Sequence, residues 1–114
     1  MKYTVSLKEN RVFRRLYAKG KSAVGPAMVL YCRKNGGKEN RLGFTVGTKL
    51  GCAVVRNRVR RRLREIVRLN APAMKKGWDL VIVARMRAVD AEYRKLNAAF
   101  LKCVGELDLL EETP

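Results

Sequence analysis

Residues 41–65 read RLGFTVGTKLGCAVVRNRVRRRLRE, and two periods meet in this stretch. Over 41–48, Leu42, Phe44 and Val46 alternate with Gly43, Thr45 and Gly47, which predicts a strand with one bulky face and one bare face. The bare face would leave a shallow groove rather than a packed surface. From Arg56 to about Arg68 the period becomes helical. At about 100° per residue, Val59, Leu63, Ile66 and Val67 fall on one apolar arc. Arg58, Arg60, Arg61, Arg64 and Arg68 fall on the opposite arc, and Arg56 and Arg62 flank the apolar stripe. A strand followed by a helix with one core face is the unit from which a sheet with helices packed on it is built.

The flanking segments extend that pattern. Ser6-Leu7-Lys8-Glu9 has the form of a capping box, so a helix is expected to follow and to end near Gly20. Val12, Phe13, Leu16 and Tyr17 would occupy one side of it, and Arg11, Arg14, Arg15 and Lys19 the rest. Residues 27–33, AMVLYCR, alternate as a strand. Asn35-Gly36-Gly37 then reads as a turn, so this strand and 41–48 are expected to form a hairpin. Another short strand fits near Ser22–Gly25. After a connection through Pro72 and Gly77, residues 78–84, WDLVIVA, form an apolar run expected of a central strand buried on both faces. Asp90 would cap a last helix from about Ala91 to Leu107, whose core positions are Tyr93, Leu96, Phe100, Cys103, Val104 and Leu107. The acidic tail 108–114 is expected to fray. The expectation is a single α+β domain, an α/β sandwich, over 1–114 with its core at about 7–107.

The 114 residues carry 26 Lys and Arg against 10 Asp and Glu, a formal net charge of +16. Magnitudes of roughly 2–8 suit a small soluble domain, so the excess calls for a polyanionic partner. No apolar run approaches the roughly 20 residues of a membrane span. The start, MKYTVSLKENRVF, lacks the apolar region of a signal peptide, so a cytoplasmic location is expected. The chain has no histidine, which excludes Ser/His and Cys/His catalysis. Cys32, Cys52 and Cys103 form no C-x-x-C pair and read as reduced thiols rather than metal ligands.

Nucleic acid is therefore the expected partner. A merely solvated helix face mixes signs, yet within 56–68 the only acid is Glu65 and every cation is arginine. The arginine fork matches phosphate and stacks on bases. The outward arc offers few amides or hydroxyls to read base edges, apart from Asn57 near the helix start, where capping is the alternative role. That favours folded RNA, recognised by backbone and shape, over DNA. Phe13, Tyr17 and Tyr31 over the Thr45/Gly47 face, rimmed by Lys49 and Arg85, form either a stacking groove for single-stranded RNA or ordinary core.

The stretch 41–65 resembles the signature of the bacterial ribonuclease P protein family. ENRVFRRLYAKG resembles that family's first helix, MVLYCRK one of its strands, and KGWDLVIVARMRA its last strand and exit. The resemblance implies the ribonuclease P protein-like fold, also that of the second domain of a small-subunit ribosomal protein. This fold has about four strands, three helices and a left-handed βαβ crossover. It also implies a role as partner of a catalytic RNA that removes the 5′ leader of precursor tRNA, with Mg²⁺ used by the RNA and none held tightly by the protein. One protein per RNA is expected. Arg56, Asn57, Arg58, Arg60, Arg61, Arg64 and Arg68 would face the catalytic RNA. Phe13, Tyr17, Tyr31, Thr45, Lys49 and Arg85 would line the leader cleft. Many relatives carry consecutive lysines where this chain has Gly47-Thr48-Lys49, of which only Lys49 keeps the charge. A structural RNA-binding role of the ribosomal kind is the alternative, and a purely structural clamp would need no aromatic groove.

Overall fold

A computed structural model describes residues 4–6 and 10–111, with side chains from Phe13 onward. Its elements are β1 (Thr4–Ser6), α1 (Asn10–Lys19), β2 (Lys21–Val24), β3 (Met28–Lys34), β4 (Asn40–Thr45), α2 (Ala53–Asn70), β5 (Trp78–Ala84), α3 (Arg87–Asp90) and α4 (Tyr93–Glu106). The strands form one sheet of five in the order β1-β4-β5-β3-β2. The α+β class is as expected. The added strand is β1, for which the short segment before α1 carries no periodic signal. The short strand expected near Ser22 is β2.

The expected hairpin between β3 and β4 does not form. β5 lies between them, antiparallel to β3 and parallel to β4, with α2 in the β4–β5 crossover. The reason lies in β5 itself. Val81 and Ile82 point to opposite faces and both are fully buried, so this strand needs cover on both faces, and the interior of the sheet provides it. The 35–39 connection must then pass the start of β5. There the Asn35 amide donates to the Gly77 carbonyl at 2.9 Å. Gly77 takes φ +87°, and a Cβ on it would stand 2.7 Å from the Gly37 carbonyl oxygen. Asn40 is buried and satisfied, accepting from the Trp78 amide at 2.9 Å and donating to the Lys75 carbonyl at 3.0 Å.

The two sheet faces differ. Leu30, Cys32, Leu42, Leu80 and Ile82 face α2 and α4 and pack with Leu63, Ile66, Leu96, Phe100 and Val104 in the main core. Burying each of the large aliphatic or aromatic side chains contributes about 1.5–3 kcal/mol. On the other face Leu16 of α1 seats on Val81, with Phe13, Tyr31 and Val83 around them. This second core is small, so much of that face stays open beside α1.

Several local expectations change. Of the Ser6–Glu9 capping box, Leu7–Glu9 lie outside the described residues, as do the side chains of Arg11 and Val12, and Ser6 ends β1. Gly20 follows α1 as expected but not as a left-handed cap, since its φ is not positive. It is needed for close approach: an added Cβ would stand 2.6 Å from the Leu16 carbonyl oxygen and 2.8 Å from that of Cys32. Asp90 does not cap the last helix. It ends α3, and Glu92 precedes α4. Tyr93 is exposed rather than in the core. Nor does the tail fray from residue 108. Leu109 is buried, its amide bonds the Val104 carbonyl, and Leu110 bridges to Met74. Two leucines outweigh the acidic composition that suggested fraying.

Candidate nucleic-acid interface

α2 bears out the helical wheel. Val59, Leu63, Ile66 and Val67 are buried, and Arg58, Arg61, Arg64 and Arg68 are exposed, as is Asn57, while Arg60, expected on the same outward arc, is half-buried. Arg56 and Arg62 are half-buried at the flanks of the apolar stripe, as expected of side chains that lay their stems along the protein. Arg62 donates to the Ala91 carbonyl and Arg58 to that of Val89 at 3.5 Å, tying α2 to the segment before α4. Arg56 donates to the Gly51 carbonyl at 3.2 Å. Asn57 is not the cap. Cys52 holds that position, and Asn57 accepts from Arg60 at 3.0 Å one turn on. Arg68 forms a two-bond pair with Glu65, at 2.9 and 2.6 Å, and this pair holds the Glu65 carboxyl below its usual range. Arg64 lies over the Phe44 ring at 5.9 Å. Several of these arginines are thus held by the protein before any ligand arrives, which lowers the entropic cost of binding.

The aromatic residues also meet. Tyr17 lies edge-to-face with Phe13, centroids 6.4 Å apart, and with Tyr31, 4.8 Å apart. Its hydroxyl is 2.8 Å from the Thr45 hydroxyl. Gly43, opposite Val81 in the ladder, adds no side chain to this face. An open groove of about 730 Å³ runs along this cluster, lined by Phe13, Arg14, Tyr17, Phe44, Thr45, Val46 and Arg60. Tyr17 is 40% exposed, so its ring remains available to a ligand rather than belonging wholly to the core.

Of the residues expected in this cleft, Phe13, Tyr17, Tyr31 and Thr45 come together. Lys49 and Arg85 do not line the groove. Lys49 is on the 3₁₀ turn Thr48–Leu50, and Arg85 follows β5, where it donates to the Gly25 carbonyl at 2.9 Å. Both lie beyond the strand ends that carry the paired Thr45 and Val83. Arg14, Phe44, Val46 and Arg60 were not expected there. Alternation puts Phe44 and Val46 on the face opposite Thr45. They line the groove because β1 pairs with β4 only as far as Leu42, so the groove wraps round the open edge toward α2. Arg60 joins the two surfaces that the sequence kept apart. Arg14 had a local signal, since it follows Phe13 on the same helix.

Among the described residues no helix is long and apolar enough to cross a membrane, and no group of three or more Cys, Asp or Glu is placed to hold a metal ion.

The chain matches the family model described as Ribonuclease P over residues 1–108. It is 42% identical over 112 residues to the ribonuclease P protein component of Natranaerobius thermophilus, covering 98% of this chain and 97% of that one. It is 40% identical to that of Alkaliphilus oremlandii, covering 96% of each. The structure superposes on the RNase P protein of Staphylococcus aureus with a TM-score of 0.84 at 28% identity, covering 97% of this chain and 100% of that one. The RNase P protein from Thermotoga maritima gives 0.78 at 31% identity, covering 86% and 93%. With matches that span nearly the full length of both partners, and with the same fold beneath them, the chain belongs to the ribonuclease P protein family.

Proposed function

We propose that this chain meets RNA on two surfaces, the arginine face of α2 taking the catalytic RNA and the aromatic groove taking the 5′ leader of precursor tRNA. The chain is the protein component of ribonuclease P, the endoribonuclease of tRNA 5′ maturation, and its partners are the RNase P RNA and precursor tRNA. The reading assigns Arg56, Asn57, Arg58, Arg60, Arg61, Arg64 and Arg68 to the catalytic RNA. It assigns Phe13, Tyr17, Tyr31 and Thr45 to the leader, with Lys49 and Arg85 beyond the groove's end on the leader's path. One protein per RNA, a cytoplasmic location and Mg²⁺ held by the RNA rather than the protein complete it.

The observation that carries the division is the groove itself. Two rings of one helix, Tyr17 exposed and Phe13 half-buried, stand over a sheet face that Gly43 and Thr45 leave without bulk, and that shape suits stacked bases of a single strand. Base–aromatic stacking contributes about 1–3 kcal/mol per base and tolerates any sequence, as a partner of many different leaders requires. Arg60 reaches the same groove from α2, so a leader held there would lie beside RNA bound to the helix. The chain's own part is to bind, orient and neutralise phosphate. It has no histidine to serve as a general base, and hydrolysis belongs to the RNA.

The test uses the assembled RNA–protein enzyme. Phe13→Ala should weaken binding of leader-bearing precursor tRNA by roughly tenfold, in line with one base no longer stacked, while mature tRNA binding changes little. Equal losses for both substrates would refute the leader assignment.

A further inference from the structure

α1 divides the open face of the sheet into two troughs. Three rows of side chains cross this face in register. Val29, Val83 and Thr45 form one, Tyr31, Val81 and Gly43 the next, and Arg33, Asp79 and Arg41 the third. Leu16 is seated on the middle row at Val81. The aromatic groove lies over the first row. On the far side of α1, over the third row, is a recess of about 180 Å³ lined by Arg15, Arg33, Lys34, Asn35, Arg41 and Asp79 together with Leu16. The first and third rows are roughly 13 Å apart at ~3.3 Å per residue.

Among the described residues, the charges lining this recess do not balance. Asp79 is buried, and both its oxygens are occupied. Arg41 donates to Oδ1 at 2.7 Å and to Oδ2 at 2.6 Å, and Asn35 adds a bond to Oδ1 at 3.0 Å. That carboxylate therefore serves to hold Arg41. Arg15 and Arg33 are exposed at the rim and have no ion-pair partner among the described residues. Lys34 adds a further charge nearby, with its ammonium turned over the Trp78 ring at 5.8 Å. Guanidinium groups gathered round one recess repel one another unless an anion lies between them. Among the described residues no aromatic ring lines the recess to stack a base, whereas the arginine fork matches phosphate.

We propose that this recess is a further RNA site, which takes a backbone phosphodiester between Arg15, Arg33 and the anchored Arg41. It stands apart from the groove, because the seated Leu16 closes the direct path between them. The phosphate is supplied either by the catalytic RNA or by the precursor tRNA, and the chemistry of recognition is the same for both.

The experiment compares the Arg15→Gln/Arg33→Gln variant with the unaltered protein in two arms. One measures the affinity of the protein for the catalytic RNA across a salt series. The other measures the affinity of the assembled enzyme for mature tRNA and for precursor tRNAs of increasing leader length, across the same series. In one arm affinity should fall roughly tenfold, with a log–log salt slope shallower by about 0.7–0.9 per phosphate released. A fall in the first arm assigns the phosphate to the catalytic RNA. A fall in the second that grows with leader length assigns it to the leader, and an equal fall for all tRNAs assigns it to the tRNA body. Arg33→Lys should retain the slope. Unchanged affinities in both arms, or a weaker affinity with an unchanged slope, would overturn the proposal. Failure of the leader reading is seen separately, through Phe13→Ala.

Discussion

Cys52 is the residue where local geometry gives the chain a reactive group. It holds the N-cap position of α2, where the Val55 and Val54 backbone amides at the helix start favour the thiolate and pull its thiol below the ordinary value. Cys32 and Cys103 are buried, and burial pushes both thiols up. Thiolate, not thiol, is the nucleophile, so at neutral pH iodoacetamide should label Cys52 first and leave the other two unlabelled in the folded protein. Peptide mass spectrometry of the alkylated protein reads the order, and early label at Cys32 would contradict the buried placement. Gly20 makes a second case at this scale. Gly20→Ala puts a methyl against two carbonyl oxygens that belong to backbone, which cannot swing aside as a side chain can. A loss of about 1–3 kcal/mol is expected, the usual cost of overpacking, and urea unfolding would measure it. By sequence, a glycine at this helix end suggests freedom to take positive φ. The structure uses instead its lack of a side chain, because β2 turns back beside Cys32 and that neighbour lies far along the chain.

Among the elements, α2 was the most legible. Its repeat is local, both faces are written in consecutive turns, and no distant residue alters which positions share an arc. Tertiary packing decided something else, namely which arginines are already engaged. Arg62 and Arg58 bond carbonyls of the segment before α4, Arg64 lies over the Phe44 ring, and Arg60, which also donates to Asn57 within the helix, lines the groove. Replacing Arg60 and Arg64 by alanine together should weaken catalytic-RNA binding and flatten its log–log salt dependence by about 0.7–0.9 for each phosphate no longer neutralised. An unchanged slope would mean that this arc does not meet phosphate. Strand pairing was far less legible. A strand's alternation tells which face each residue takes but not which neighbour it pairs with. Closing a longer loop costs only slightly more than closing a short one, so β3 could bypass β4 and pair with β5.

For the whole molecule, the C-terminal segment shows how far composition can mislead. Leu109 is 1% exposed, and the chain beyond α4 bonds back to Ala73 and Lys75. Leu109→Ala should cost about 2–5 kcal/mol, the range for a large side chain removed from a core, and would appear as a lower urea midpoint. A change below about 0.5 kcal/mol, typical of a surface position, would mean that the segment is not packed.

Charge, the arginine helix, the twice-buried strand and the absence of histidine were each determined by sequence alone, since each depends on residue identity or on spacing within a few turns. They were enough to indicate a basic α+β domain whose partner is RNA. The order of the strands, the seating of Leu16 on Val81 that splits one sheet face into an aromatic groove and a basic recess, and the reach of Arg60 into that groove were decided only by tertiary structure. Those features depend on which surfaces become buried together, and burial is a property of distant segments meeting rather than of any one of them.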